Sequence, residues 1–170
     1  MIRLRPLAVG DEAQALAAHA ELAAEDFPFL LGYHPGEAWS GFVARLRAQR
    51  RGTGLPEGWV PATYLVGEAG GEIVGRVSIR HRLTDWLERY GGHIGYAVRP
   101  AYRRRGYAAQ MLRQSLTVAA RAGVSEALVI CEDTNPVSAA VIERCGGRRV
   151  ARTLAEDGTS VLRHYRVPTS

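Results

Sequence analysis

The chain has 170 residues, 46% of them hydrophobic and 23% charged, the make-up of one ordinary globular domain able to bury a core. No stretch approaches the roughly 20 apolar residues of a membrane helix. The opening Met1-Ile2-Arg3-Leu4-Arg5-Pro6 has neither the apolar run nor the cleavage site of a signal peptide, so no membrane is expected as a partner and the cytosol is the expected location. Net charge is +5, the pI is near 9.7, and every one of the 22 basic residues is an arginine, a balance that favours anionic partners, either nucleic acid or a phosphate-rich small molecule. Two cysteines, Cys131 and Cys145, are too few for a disulfide framework and lack metal-ligand spacing; no metal is expected.

No repeat, low-complexity tract or linker interrupts the chain, which reads as a single domain over 1–170. Residues 1–9 suggest an edge strand, and Asp11 is placed to cap an alanine-rich helix over 12–24. Residues 25–35 form an apolar, aromatic loop broken by proline and glycine. A second helix over 37–51 puts Trp39, Phe42, Val43 and Leu46 on one face. Two strands, 62–68 and 72–81, flank the hairpin signal Gly70-Gly71. A helical turn at 83–90 precedes a strand over 93–98, which Pro100 ends. The helix over 104–122 carries Ala108, Met111, Leu112, Leu116 and Ala119 as its inward stripe. Ala127–Cys131 is almost wholly apolar, as a strand covered on both faces would be. The next helix is sharply punctuated, with Asn135 as N-cap, Pro136 at the first position and Gly146 after the end. Two closing strands, 148–155 and 161–167, turn at Asp157-Gly158. This order predicts a mixed α/β domain of seven strands and about four helices.

Chemistry concentrates between Gly91 and Gly147. The strand 93–98 feeds Arg103-Arg104-Arg105-Gly106-Tyr107-Ala108 and then a helix. A helix start offers unpaired N–H groups and about half a positive charge. Gly106 lets a phosphate approach without a Cβ, and three arginines add formal charge around it. Neither the dinucleotide fingerprint nor the P-loop is present.

Val98-Arg99-Pro100-Ala101-Tyr102-Arg103-Arg104-Arg105-Gly106-Tyr107-Ala108 resembles the central motif of the GNAT superfamily of acetyltransferases. Asn135-Pro136-Val137-Ser138, with Gly146 after the helix, resembles the family's second conserved segment, in the right order. The resemblance implies a central mixed seven-stranded sheet whose fourth and fifth strands splay apart. Acetyl-CoA would be the co-substrate. Its pantetheine arm would pair with the backbone of Tyr96, Ala97 and Val98, its pyrophosphate would meet Arg103, Arg104, Arg105, Gly106, Tyr107 and Ala108, and Asn135 and Ser138 would lie beside the arm.

The same resemblance exposes a departure. Many members carry a tyrosine acid seven residues after the motif asparagine, where this chain has Ile142. A base is often found early on the fourth strand, where His93 is the one titratable group. Tyr96 is the alternative acid, although strand alternation sets it on the face opposite His93 unless the strand is bulged. Glu25, Tyr33 and Glu132 are candidates for contact with the acceptor. The expected reaction is transfer of an acetyl group to a primary amine of a small molecule, peptide or protein. A catalytically weak acyl-CoA sensor is the alternative. A nucleic-acid-binding domain ranks last, since no helix–turn–helix, zinc or RNA-binding-sheet signature accompanies the arginines. A homodimer is carried only as the general prior for soluble proteins.

Overall fold

A computed structural model describes residues 1–170. Its elements are β1 (Arg3–Pro6), α1 (Glu12–Ala23), α2 (Trp39–Arg51), β2 (Ala62–Ala69), β3 (Glu72–Arg80), β4 (Ile94–Val98), α3 (Tyr107–Arg121), β5 (Glu126–Glu132), α4 (Pro136–Arg144), β6 (Arg148–Leu154) and β7 (Val161–Pro168). The segment expected as a helical turn contains a π-helical turn over Leu87–Gly91. No helix is long and apolar enough to cross a membrane.

The strands form two antiparallel sheets, ordered β1-β2-β3-β4 and β5-β7-β6. The β4–α3–β5 crossover, the connection type that joins parallel neighbours, brings the sheets edge to edge. Hydrogen bonds join them at one place. The His93 N–H donates to the Leu128 carbonyl at 2.7 Å, and the Leu128 N–H donates back to His93 Nδ1 at 2.8 Å. Gly92 permits this approach: a Cβ there would lie 2.6 Å from the Leu128 oxygen, and its φ of +67° is itself left-handed. Beyond this contact β4 and β5 form no further ladder, so the expected mixed architecture with splayed fourth and fifth strands is present.

Two apolar cores lie on opposite faces. One, which includes Met111, Leu112, Leu116 and Ile142, packs α3 and α4 against the strands. The other, which includes Leu22, Phe29, Trp39, Phe42, Val43 and Leu46, packs α1 and α2 against β2 and β3. Each such side chain, fully buried, contributes about 1.5–3 kcal/mol of transfer free energy. Alternation along β4 sends Ile94, Tyr96 and Val98 to the α3/α4 core and Ala97 to the α1/α2 core.

Local signals behave as chemistry dictates, with two exceptions. At α4, Asn135 Oδ1 accepts the Ser138 N–H at 3.1 Å. The helix ends where the N–H groups of Gly146 and Gly147 reach the carbonyls of Glu143 and Ile142, satisfying its last acceptors. Asp11, expected to cap α1, makes no such bond. Its carboxylate instead accepts the Ala8 N–H and pairs with Arg5, a stronger charged partner. Ala108, assigned to the inward stripe, is only half-buried, because α3 enters its core one turn later at Met111.

Candidate active site

The start of α3 presents an uncapped row of donors. Gly106 caps the helix in the left-handed region, φ +74°, and no side chain bonds to the first turn. The N–H groups of residues 104–109 meet no acceptor in the protein. Arg104, also left-handed at φ +62°, and Arg105 are exposed and pair with no carboxylate. Arg105 donates to the Ala101 carbonyl and lies 5.6 Å from the Tyr102 ring centre. Arg103 differs from both. Its Nη1 and Nη2 donate to Glu25 at 3.0 and 2.6 Å, and its Nε donates to the Val98 carbonyl. Arg99, just before, is held by Glu21 in the same two-pronged way. Six open N–H groups and two free guanidinium ions make a site for a highly charged anion, and the residues fit a pyrophosphate.

The free edge of β4 adjoins this loop. The bonds from Arg80 N–H to the His93 carbonyl and from Arg99 N–H to the Val74 carbonyl fix the register. They turn the His93 carbonyl and the backbone of residues 95, 97 and 99 toward β3, and that of 94, 96 and 98 toward the splay, which the His93 N–H also faces. The polar groups of Tyr96 and Val98 therefore line the gap, whereas those of Ala97, expected there too, face β3. The Tyr96 ring lies on the α3/α4 side, its hydroxyl 2.8 Å from Ser138 Oγ. Burial pushes the phenol up to about 12, so it stays protonated at neutral pH. Tyr96, Ser138 and Asn135 thus form one chain of contacts across the gap.

His93 takes a different role from the expected base. Its Nδ1 is occupied by the Leu128 N–H, which assigns the proton of the neutral ring to Nε2. Burial, with Arg166 and Arg80 nearby, lowers its pKa to about 4. A neutral imidazole whose free nitrogen already carries a proton is a poor acceptor for a proton from an amine, and the ring serves as the clip between the sheets. The β4 ladder has no bulge, so His93 and Tyr96 do not share a face.

On the α1/α2 side lies an open pocket of about 720 Å³. Its walls include Leu31, Trp59, Trp86 and Leu87, and its floor includes Ser78 and Arg80 of β3. Next along β3 on the same face is Arg76, 3% exposed, donating to the Pro28 carbonyl at 2.7 Å and stacked over Phe27. Of the three expected acceptor contacts, none lines this pocket. Glu25 is committed to Arg103. Tyr33 packs edge-on against His19, Trp39 and Phe42. Glu132 is exposed at the end of β5. The strand ending at His81 is expected from the sequence to border the acceptor, and it does supply the floor, but its floor residues are not individually marked there. Their signal was a strand, Glu72–Arg80, whose alternation puts Arg76, Ser78 and Arg80 on one face of a buried hairpin.

An acetyltransferase (GNAT) domain model matches residues 2–148, and the chain belongs to that family. No curated protein sequence matches it. Among solved structures, a GNAT-family acetyltransferase from Streptococcus pneumoniae is similar at a TM-score of 0.69 and 14% identity, over 99% of each chain. RimJ of Mycobacterium smegmatis, in complex with CoA-disulfide, gives 0.69 and 22%, over 98% of this chain and 81% of its own. YncA, a putative acetyltransferase from Salmonella typhimurium with its cofactor acetyl-CoA, gives 0.65 and 16%, over 99% and 94%. These likenesses establish the fold.

Proposed function

We propose that the chain is an N-acetyltransferase that moves the acetyl group of acetyl-CoA to a primary amine by direct attack on the thioester. The observation that carries this reading is the open row of N–H groups at 104–109 beside a free strand edge, with a pocket on the opposite face of the same sheet. The bound CoA species of the Salmonella and Mycobacterium relatives support the choice of donor. Residues 104–109 and the free guanidinium groups of Arg104 and Arg105 hold the pyrophosphate. The backbone of Tyr96 and Val98 orients the arm in the splay, and Asn135 and Ser138 flank it.

The amine attacks in its neutral form. Its nitrogen bonds to the acetyl carbon, the carbon–sulfur bond breaks, and the surplus proton reaches the CoA sulfur through solvent. A thiol has a reference pKa of about 8.5, so full proton transfer from a phenol at about 12 is uphill. Tyr96 acts as a hydrogen-bond donor that stabilises the departing sulfur. The position where many members of the family carry a tyrosine acid is held by Ile142, which has no proton to give and is fully buried in the core. The absence of that tyrosine is the observation behind a second reading, a sensor that binds acyl-CoA without turnover.

Calorimetric titration with acetyl-CoA and CoA, beside a folded Gly106→Glu variant, tests the donor site. One-to-one binding by the wild type and its loss in the variant are expected, since the new carboxylate fills and repels the anion site. Thiol release with an amine panel then separates enzyme from sensor. A folded wild type that binds neither acetyl-CoA nor CoA overturns both readings.

A further inference from the structure

Strand β3 carries, at and just beyond the pocket floor, a charge arrangement that folding alone does not favour: Arg80 lines the pocket, and Arg76, next on the same face, lies outside the lining under Phe27 and Pro28. Arg76 and Arg80 stand two positions either side of Ser78 on one face of β3, and no ion pair of the protein includes either arginine. Arg76 is 97% buried by its 3% exposure, and its Nε has no hydrogen-bond partner at all. Arg80 spends Nη1 on the carbonyls of Gly91 and Gly92. Arginine does not escape burial by losing its proton, so two like charges are held together without a counter-ion, an arrangement that is costly in a folded protein.

The direction of Arg76 matters as much as its charge. Ser78 pairs with Gly95 across β3 and β4. At Gly95 the one neighbour that a Cβ would meet is Arg76 Nη1, at 3.7 Å. The side chain therefore reaches from β3 over β4, one residue from Tyr96 and toward the edge where the acetyl group must arrive. Phe27 and Pro28 cover it from the loop after α1. Two acids, Glu57 and Asp85, lie in the pocket lining, but both are exposed and pair with neither arginine.

We propose that Arg76, assisted by Arg80 and the Ser78 hydroxyl, holds a carboxylate of the acceptor, so that the substrates are amino acids or similar small amines with a carboxylate a few bonds from the nitrogen. The planar fork of a guanidinium matches a carboxylate, and the bound anion supplies the counter-charge that the fold omits. Leu31, Trp59 and Trp86 leave the pocket's walls suited to an apolar side chain. This assignment rests on the acetyltransferase reading and narrows its acceptor.

The test compares amino acids with the amines that lack only the carboxylate: phenylalanine with phenethylamine, leucine with isopentylamine, methionine with 3-(methylthio)propylamine. Thiol release gives kcat/KM, and calorimetry with acetyl-CoA runs in parallel on the same preparations. At least one amino acid is expected to exceed its amine by about tenfold to a hundredfold, the range for a hydrogen-bonded charge. Arg76→Met, which keeps the apolar stem, is expected to erase that preference while acetyl-CoA affinity stays unchanged. As a second readout, CoA-loaded protein is titrated with N-acetylphenylalanine and its carboxamide; the carboxylate should bind at least tenfold more tightly, and only to the wild type. Amines that match or surpass every amino acid, or an acid that binds no better than its amide, overturn the carboxylate assignment and leave the acetyltransferase reading intact. Failure of the wild type to bind acetyl-CoA removes both.

Discussion

Tyr96 and Ser138 meet across the splay with their hydroxyl oxygens 2.8 Å apart, joining a strand of one sheet to the helix that follows a strand of the other. Ser138 is itself oriented, because its N–H is held by Asn135. The phenol is thus aimed by a partner on the far side of the gap. Tyr96→Phe is expected to lower kcat by about tenfold to a hundredfold, the scale for one lost donor to developing charge, with little change in acetyl-CoA affinity. Steady-state kinetics beside calorimetry reads both; an unaltered kcat would remove Tyr96 from the chemistry.

Glu25 offers a test with an unusual sign. It neutralises Arg103 at the edge of the anion site, and Arg103 holds its carboxyl below the usual range. Glu25→Gln frees a guanidinium beside the pyrophosphate position. Acetyl-CoA should then bind a few-fold more tightly, and the gain should shrink as salt is added. Weaker binding would show that the pair's positioning of Arg103 outweighs its charge.

The histidines set an acid limit on stability. His93 has a folded pKa of about 4 against an ordinary value near 6.5, and burial also lowers His19, His81 and His164. With folded values depressed, the unfolded chain binds more protons below about pH 6.5. The stability these groups contribute is complete above that pH and is lost as pH falls toward 4. His93→Gln, whose side-chain oxygen can accept the Leu128 N–H, should flatten part of this fall in melting temperature between pH 7 and 4.5. An unchanged slope would assign the acid loss to other groups.

Gly92 is where the sheets are pinned. Gly92→Ala meets a φ of +67° and a Leu128 oxygen 2.6 Å from the new methyl. The strained backbone costs about 1–3 kcal/mol, and the clash adds to it. A lower denaturation midpoint and weaker acetyl-CoA binding are expected together, because the same junction fixes the width of the splay. Loss of stability with affinity intact would separate the two.

Much of the donor side was legible in the sequence because it is local. Gly106 and the arginines before α3, and Asn135-Pro136 with Gly146 around α4, are read within a turn of helix. The failures are contacts between residues far apart in the chain. Glu25 finds Arg103 across 78 positions, and nothing near Glu25 announces it. Asp11 prefers Arg5 and the Ala8 N–H to the helix it precedes. His93 was read by its titration range, yet its nitrogen is claimed by Leu128, 35 residues on. Arg76 could have been noticed, since a charged residue on the inward face of an apolar strand breaks the pattern. What it faces depends on the loop at 27–28, which periodicity does not place.

One stretch of chain ties the two faces of the sheet. Glu21 holds Arg99 at the exit of β4, Glu25 holds Arg103 beside the phosphate loop, and the next few residues, Phe27 and Pro28, roof over Arg76. Donor and acceptor thus lean on the same short segment from opposite sides. A lesion that slackens the end of α1 would register twice in the kinetics, in the Michaelis constant of each substrate, without touching either of them.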